Sequence, residues 1–127
     1  MAKRRDNLEG LTTVDVVRQI IIPETQSLRL RYVDTLSTEA VSAPTYFVSH
    51  TWGRPFLELI NSLKSYIRLS QDDEQSKNIF LWIDIFAVNQ HEGLHQQSDL
   101  SGLHLAIQKA AKGTLVCFDI PGKLLTR

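Results

Sequence analysis

Ile79-Phe-Leu-Trp-Ile-Asp-Ile-Phe86 is an apolar run interrupted by a single polar side chain, Asp84. A strand this apolar must be covered on both faces, which is the environment of a parallel sheet. Parallel neighbours cannot be joined by a tight hairpin; they need crossover connections, usually helices. The rest of the chain supplies both parts. Thr45-Tyr-Phe-Val-Ser-His50, following Pro44, predicts a central strand, and Thr114-Leu-Val-Cys-Phe118 predicts a third. Between the first two, Phe56, Leu59, Ile60, Leu63 and Ile67 recur with helical spacing, after an Arg54-Pro55 step suited to a helix start. Between the second and third, Leu100, Leu103, Ile107, Ala110 and Ala111 predict a buried helical stripe, capped by Asp99 and ended by Gly113. Residues 70–78 and 87–98 are polar and predict surface connections. The order strand, helix, strand, helix, strand predicts an α/β fold with right-handed crossovers.

Residues 1–11 predict a flexible N-terminus, and residues 12–44 an N-terminal helix and connection ahead of the α/β domain at 45–127. Thr12 and Asp15 have capping-box spacing, and Val14, Val17 and Ile21 share a helical face, widened by Ile20 and Ile22. Pro23 is expected to stop this helix. The β-branched content leaves a strand as the competing reading. Leu28, Leu30 and Tyr32 alternate with Arg29 and Arg31 in a short strand-like pattern.

Composition excludes several function classes. With 14 basic and 14 acidic residues the chain is formally neutral, without the positive field that non-specific nucleic-acid binding or an anionic membrane requires. Hydrophobic residues make up 43% of the chain, enough for a core and too many for disorder along most of it. The lone Cys117 cannot form an internal disulfide, and its place in an apolar strand reads as a buried hydrophobe. No apolar run is long enough for a membrane span, and the start, Met1-Ala-Lys-Arg-Arg-Asp6, is not a signal sequence. A reducing, cytoplasmic setting is expected.

In parallel sheets the ligand crevice lies at the carboxyl ends of the strands. Those ends are expected at Ser49-His50-Thr51-Trp52-Gly53, at Asp84 to Gln90, and at Asp119-Ile120, and the unusual polar residues collect there. His50 could bond a phosphate or ribose, and Trp52 offers a flat ring for stacking. Asp84 would be costly within a strand unless paired, exposed or shifted in pKa. His91-Glu92-Gly93-Leu94-His95 fits the H-E-x-x-H pattern of zinc peptidases. Gly93 inside it and polar flanks make a solvated loop the stronger reading, so no metal is expected.

Two segments carry a resemblance. Tyr46-Phe-Val-Ser-His-Thr-Trp-Gly53, with Pro55-Phe56, and Leu81-Trp-Ile-Asp-Ile-Phe-Ala-Val-Asn-Gln-His91 resemble the first and second strands, with their loops, of a divergent microbial and algal branch of TIR-like (Toll/interleukin-1 receptor homology) domains. The Trp-Ile-Asp and Asn-Gln pattern is also similar to the related heterokaryon-incompatibility (HET) domains, and Thr12 to Pro23 resembles the leader of that branch. The resemblance implies a flavodoxin-like, three-layer α/β/α fold with a central parallel sheet, here incomplete at the C-terminus. It implies a cytoplasmic signalling or defence domain that self-associates with like domains and takes NAD as substrate or ligand, with no other cofactor required. It places dinucleotide contacts at Ser49, His50, Thr51 and Trp52, and further contacts at Asp84, Asn89 and Gln90. The glutamate that NAD-cleaving members carry in a later Trp-Cys-x-x-Glu-Leu-like segment has no counterpart here, so no catalytic residue is carried over. Glu58 and Glu92 are the substitutes to test. The alternative is a non-catalytic interaction module.

Overall fold

The computed structural model describes residues 8–70 and 78–117. Residues 1–7 of the expected tail, residues 71–77 of the polar connection, and Phe118, Asp119 and Ile120 lie outside these.

The strands form one parallel three-stranded sheet in the order β2-β1-β3. β1 (Tyr46–Ser49) is central, as expected. β2 (Leu81–Trp82) pairs through Tyr46 with Leu81 and Phe47 with Trp82, and β3 (Thr114–Val116) pairs along Phe47 to Ser49. The molecule is therefore a mixed α/β structure whose strand ends share one rim.

The first helix obeys its start signal but not its stop signal. Thr12 accepts from the Asp15 amide while Asp15 accepts from the Thr12 amide, closing the capping box. From there the chain is α-helical over Thr13–Val16, widens to a π-helical turn over Val17–Ile21, and returns to α over Ile22–Thr25; this continuous run is α1. Pro23 thus lies inside the helix rather than after it. A proline ring normally clashes with the carbonyl four residues back, and the wider π turn gives it room.

The expected strand pattern at 28–32 is also replaced. Residues 26–29 form a turn in which Arg29 takes φ 53°, and Tyr32–Thr35 is a 3-10 turn. The alternation fails because Leu28, at 74% exposure, meets no core.

α2 (Phe56–Ser70) matches its prediction: Phe56, Leu59 and Leu63 are buried, and Tyr66 sets its ring edge-on against Tyr46 of β1. The opposite side of β1 carries Phe47, stacked on Trp82 at 4.8 Å between ring centroids. One core joins α1 (Val16, Val17, Ile21) to β1 (Val48), α2, Ile83 and Ile85.

The apolar run Ile79 to Phe86 is not one strand. It is extended only as far as Ile83, and Asp84–Ala87 turns into a short helix, α3. Burial alone does not discriminate strand from helix over so few residues. Asp84 accordingly does not interrupt a strand; it opens a helical turn, where a carboxylate is favoured, and lets Ile85 reach complete burial.

The last helix is shifted and divided. α4 (Leu94–Ser101) and α5 (Leu103–Lys109) flank Gly102. Part of the expected loop at 87–98 is therefore helical, and Asp99 lies inside α4 instead of capping it, because its carboxylate accepts from the Asn89 amide. The predicted stripe is mostly uncovered: Leu100 is 53% and Ile107 43% exposed, and within it only Ala110 is buried. Gly113, at φ 105°, shapes the turn into β3 rather than the end of the helix.

Thr13 at the start of α1 is fully buried, and its hydroxyl has no hydrogen-bond partner among the described residues. Thr13→Val keeps the shape and removes the orphaned group, so it is expected to stabilise the fold by about 1 kcal/mol in chemical denaturation.

Candidate functional site

β1 ends at Ser49 and the chain leaves the sheet through His50, Thr51 and Trp52; beside it, Ile83 ends the extended part of the neighbouring segment and Asp84 begins α3. Because the two strands are parallel and adjacent, both exits fall at the same rim. Three side chains meet there on one carboxylate. His50 Nε2 lies 2.6 Å from Asp84 Oδ1, and Trp52 Nε1 donates to Asp84 Oδ2 at 2.9 Å. Asp84 Oδ1 accepts in this contact when His50 carries a proton on Nε2. The His50 side chain is 3% exposed and its Nδ1 is buried without a partner among the described residues, whereas the Asp84 side chain is 34% exposed. Trp52 packs its ring against the core and turns its N–H to the rim.

The other expected contacts have separate surroundings. Ser49 and Thr51 are exposed, and the Ser49 carbonyl accepts from the Cys117 amide at 2.8 Å, which ties β3 to the rim. Asn89 is buried: its side chain donates to the Arg29 carbonyl at 2.7 Å and accepts from the His91 amide at 2.9 Å. Gln90 folds back and donates to the carbonyls of Asp84 and Val88. These two amides hold the loop after α3 in place. Glu58 is on an exposed face of α2, paired with Arg54 at 2.9 Å, and Glu92 is exposed. Neither belongs to the hydrogen-bonded cluster of His50, Asp84 and Trp52.

The H-E-x-x-H segment does not form a zinc helix. His91 precedes α4 and His95 lies on it, with Gly93 at φ 143° between them. Two ligands four residues apart need one continuous helical turn. His91 is moreover committed elsewhere. Thr25 donates its hydroxyl to the Ile21 carbonyl at 2.7 Å, so the 2.8 Å contact between Thr25 Oγ1 and His91 Nε2 must have His91 as donor. Cys117 is half-buried, and that burial pushes its thiol pKa up, away from the thiolate a nucleophile needs.

Sequence reasoning missed the partners that build this region. Arg29 donates to the Glu92 carbonyl at 2.6 Å, Asp99 holds the Asn89 amide, and Thr25 holds His91. The first and third join positions more than 60 residues apart and the second spans ten; none carries a local signal. Arg29, Asn89 and Asp99, with Arg31, Asp34 and His95, also line a cleft of about 490 Å³, in which neither His50, Trp52 nor Asp84 takes part. Arg31 grips Asp34 through two bonds, at 3.1 and 2.8 Å, and holds its carboxyl below the usual carboxylate range.

No family model matches the chain, and no curated protein and no solved structure matches it either. Among the described residues no helix is long and apolar enough to cross a membrane.

Proposed function

We propose that the chain is a flavodoxin-like, TIR-related domain of a cytoplasmic signalling or defence protein, and that its rim binds a nicotinamide dinucleotide. One observation carries the reading: His50, Trp52 and Asp84 converge at the adjacent carboxyl ends of β1 and the segment after β2, where α/β sheets hold ligands. The resemblance of residues 46–56 and 81–91 to TIR-like domains supplies the ligand class. In this reading Trp52 stacks on the adenine or nicotinamide ring, Ser49 and Thr51 offer exposed polar groups to phosphate or ribose, and Asp84 fixes both His50 and Trp52. Asn89 and Gln90 act through the loop they hold.

The ancestral reaction is hydrolysis of the bond between nicotinamide and ribose. Nicotinamide leaves with the bonding electron pair, a nearby carboxylate stabilises the oxocarbenium-like ribose, and water adds at the anomeric carbon with loss of a proton. Glu58 and Glu92, on exposed surfaces, are poorly placed for that task. Dinucleotide binding is therefore the expected property, with turnover the exception.

Binding is tested by calorimetric titration with NAD. Saturable binding is expected, weakened about tenfold in Trp52→Ala, the loss of one stacked ring, and largely kept in Trp52→Phe. No binding overturns the reading. Release of nicotinamide that persists in Glu58→Ala and Glu92→Ala would eliminate both as substitute catalytic groups.

A second reading, a self-associating module, is favoured by the uncovered apolar side chains of α4, α5 and β3: Leu94, Leu100, Leu105, Ile107 and Val116 are 43–81% exposed. Concentration-dependent oligomers without NAD binding would select it.

A further inference from the structure

We infer that the backbone strap at Leu11 to Val14 positions Trp52 for the dinucleotide; the inference rests on the proposed rim site. The first amides of a helix have no partner within the helix. In α1 they are taken up by the loop after β1. Thr13 N donates to the Arg54 carbonyl at 3.0 Å and Val14 N to the Trp52 carbonyl at 3.1 Å, while the third amide, that of Asp15, goes to Thr12 Oγ1. In return Phe56 N donates to the Leu11 carbonyl at 2.9 Å, and Thr12 and Pro55 form an antiparallel bridge. Trp52 is thus held at both ends: its carbonyl by α1 and its indole N–H by Asp84. The ring's place at the rim depends on a segment more than 30 residues earlier in the chain, and α1 cannot shift without moving the loop. A loop held this way loses less freedom on binding, which raises affinity. Thr13 and Val14 are positioning residues and touch no ligand themselves.

The test removes one strap donor without breaking the helix. Thr13 is the first helical residue, and Thr12 before it is already extended, with φ −78° and ψ 169°. Proline is at home in that position, so Thr13→Pro deletes the bond to Arg54 and little else. Thr13→Val keeps the amide. Asp15→Ala weakens the cap but leaves both strap donors. In nitrogen-15 NMR spectra of the full chain without ligand, Thr13→Pro is expected to displace the Trp52 indole N–H and His50 ring signals, and to weaken NAD binding about fivefold. Thr13→Val and Asp15→Ala should leave those signals and the affinity unchanged, whatever they do to the melting temperature. Equal displacement in Asp15→Ala, or none in Thr13→Pro, overturns the inference. Should Thr13→Pro not fold, hydrogen exchange of the unsubstituted chain decides: NAD should slow exchange at the Thr13 and Val14 amides, and unchanged exchange in the bound protein overturns it. Displaced Trp52 signals in a chain that never binds NAD would overturn the dinucleotide reading and still support the strap's hold on Trp52.

Discussion

Asp84→Ala is expected to destabilise the protein by about 2–4 kcal/mol, because one deletion strands two donors, and hydrogen bonds to a charged group are worth about 1.5–3 kcal/mol each. The His50 ring is almost wholly buried, and with Asp84 gone both of its nitrogens lack a partner among the described residues. Trp52 loses the acceptor for its indole N–H at the same time. The 34% exposure of the Asp84 side chain admits some water and keeps the loss below the full sum. Asp84→Asn should cost roughly half as much: the amide oxygen can still accept one bond, while its NH₂ faces the other donor. Urea denaturation of the three proteins would check the order, with alanine worst and asparagine between. Equal stability of all three would mean that the carboxylate does not join the strand ends.

The other large effect lies one residue along. Ile85 has no exposed surface and belongs to the cluster formed by α1, β1 and α2. Ile85→Ala removes several buried carbon atoms and leaves a cavity, at a cost of about 3–4 kcal/mol. A domain of this size has about 5–15 kcal/mol in total, so the variant should unfold at much lower denaturant. The same change also loosens α3, whose first residue is Asp84, so the His50 and Trp52 signals should broaden. Ile107→Ala is the matched control. Ile107 was expected in a buried stripe but is 43% exposed, and its truncation should cost less than about 1 kcal/mol. A comparable loss at both positions would contradict the packing described for α5.

The sequence made the parallel sheet and its shared rim legible because burial of strands on both faces leaves a mark in composition. Val48 and Phe47 in β1, and Phe56, Leu59 and Leu63 in α2, follow from that mark directly. So does the meeting of His50 and Asp84, which needs only that two parallel strands be neighbours. Places where several local signals competed were not legible. Pro23 reads as a stop until a π turn accommodates it, and Ile79 to Phe86 reads as one strand because periodicity is silent in a fully apolar run. Asp99 has the residue type of a cap, yet its carboxylate is drawn to the Asn89 amide across a loop. The helix stripe at Leu100 to Ile107 has helical spacing but little to pack against among the described residues. The strap was half legible: Thr12 and Asp15 announced the helix start, but nothing local announced that its free amides meet residues 52–54.

The most direct measurement is a crystal structure of the chain grown with NAD. The account predicts density for the dinucleotide over the exits of β1 and α3, with a ring stacked on Trp52 and polar contacts to residues among Ser49, His50, Thr51 and Asp84. Dinucleotide lodged instead in the cleft between Arg29, Arg31 and His95, or a rim that stays bare at saturating NAD, would contradict it.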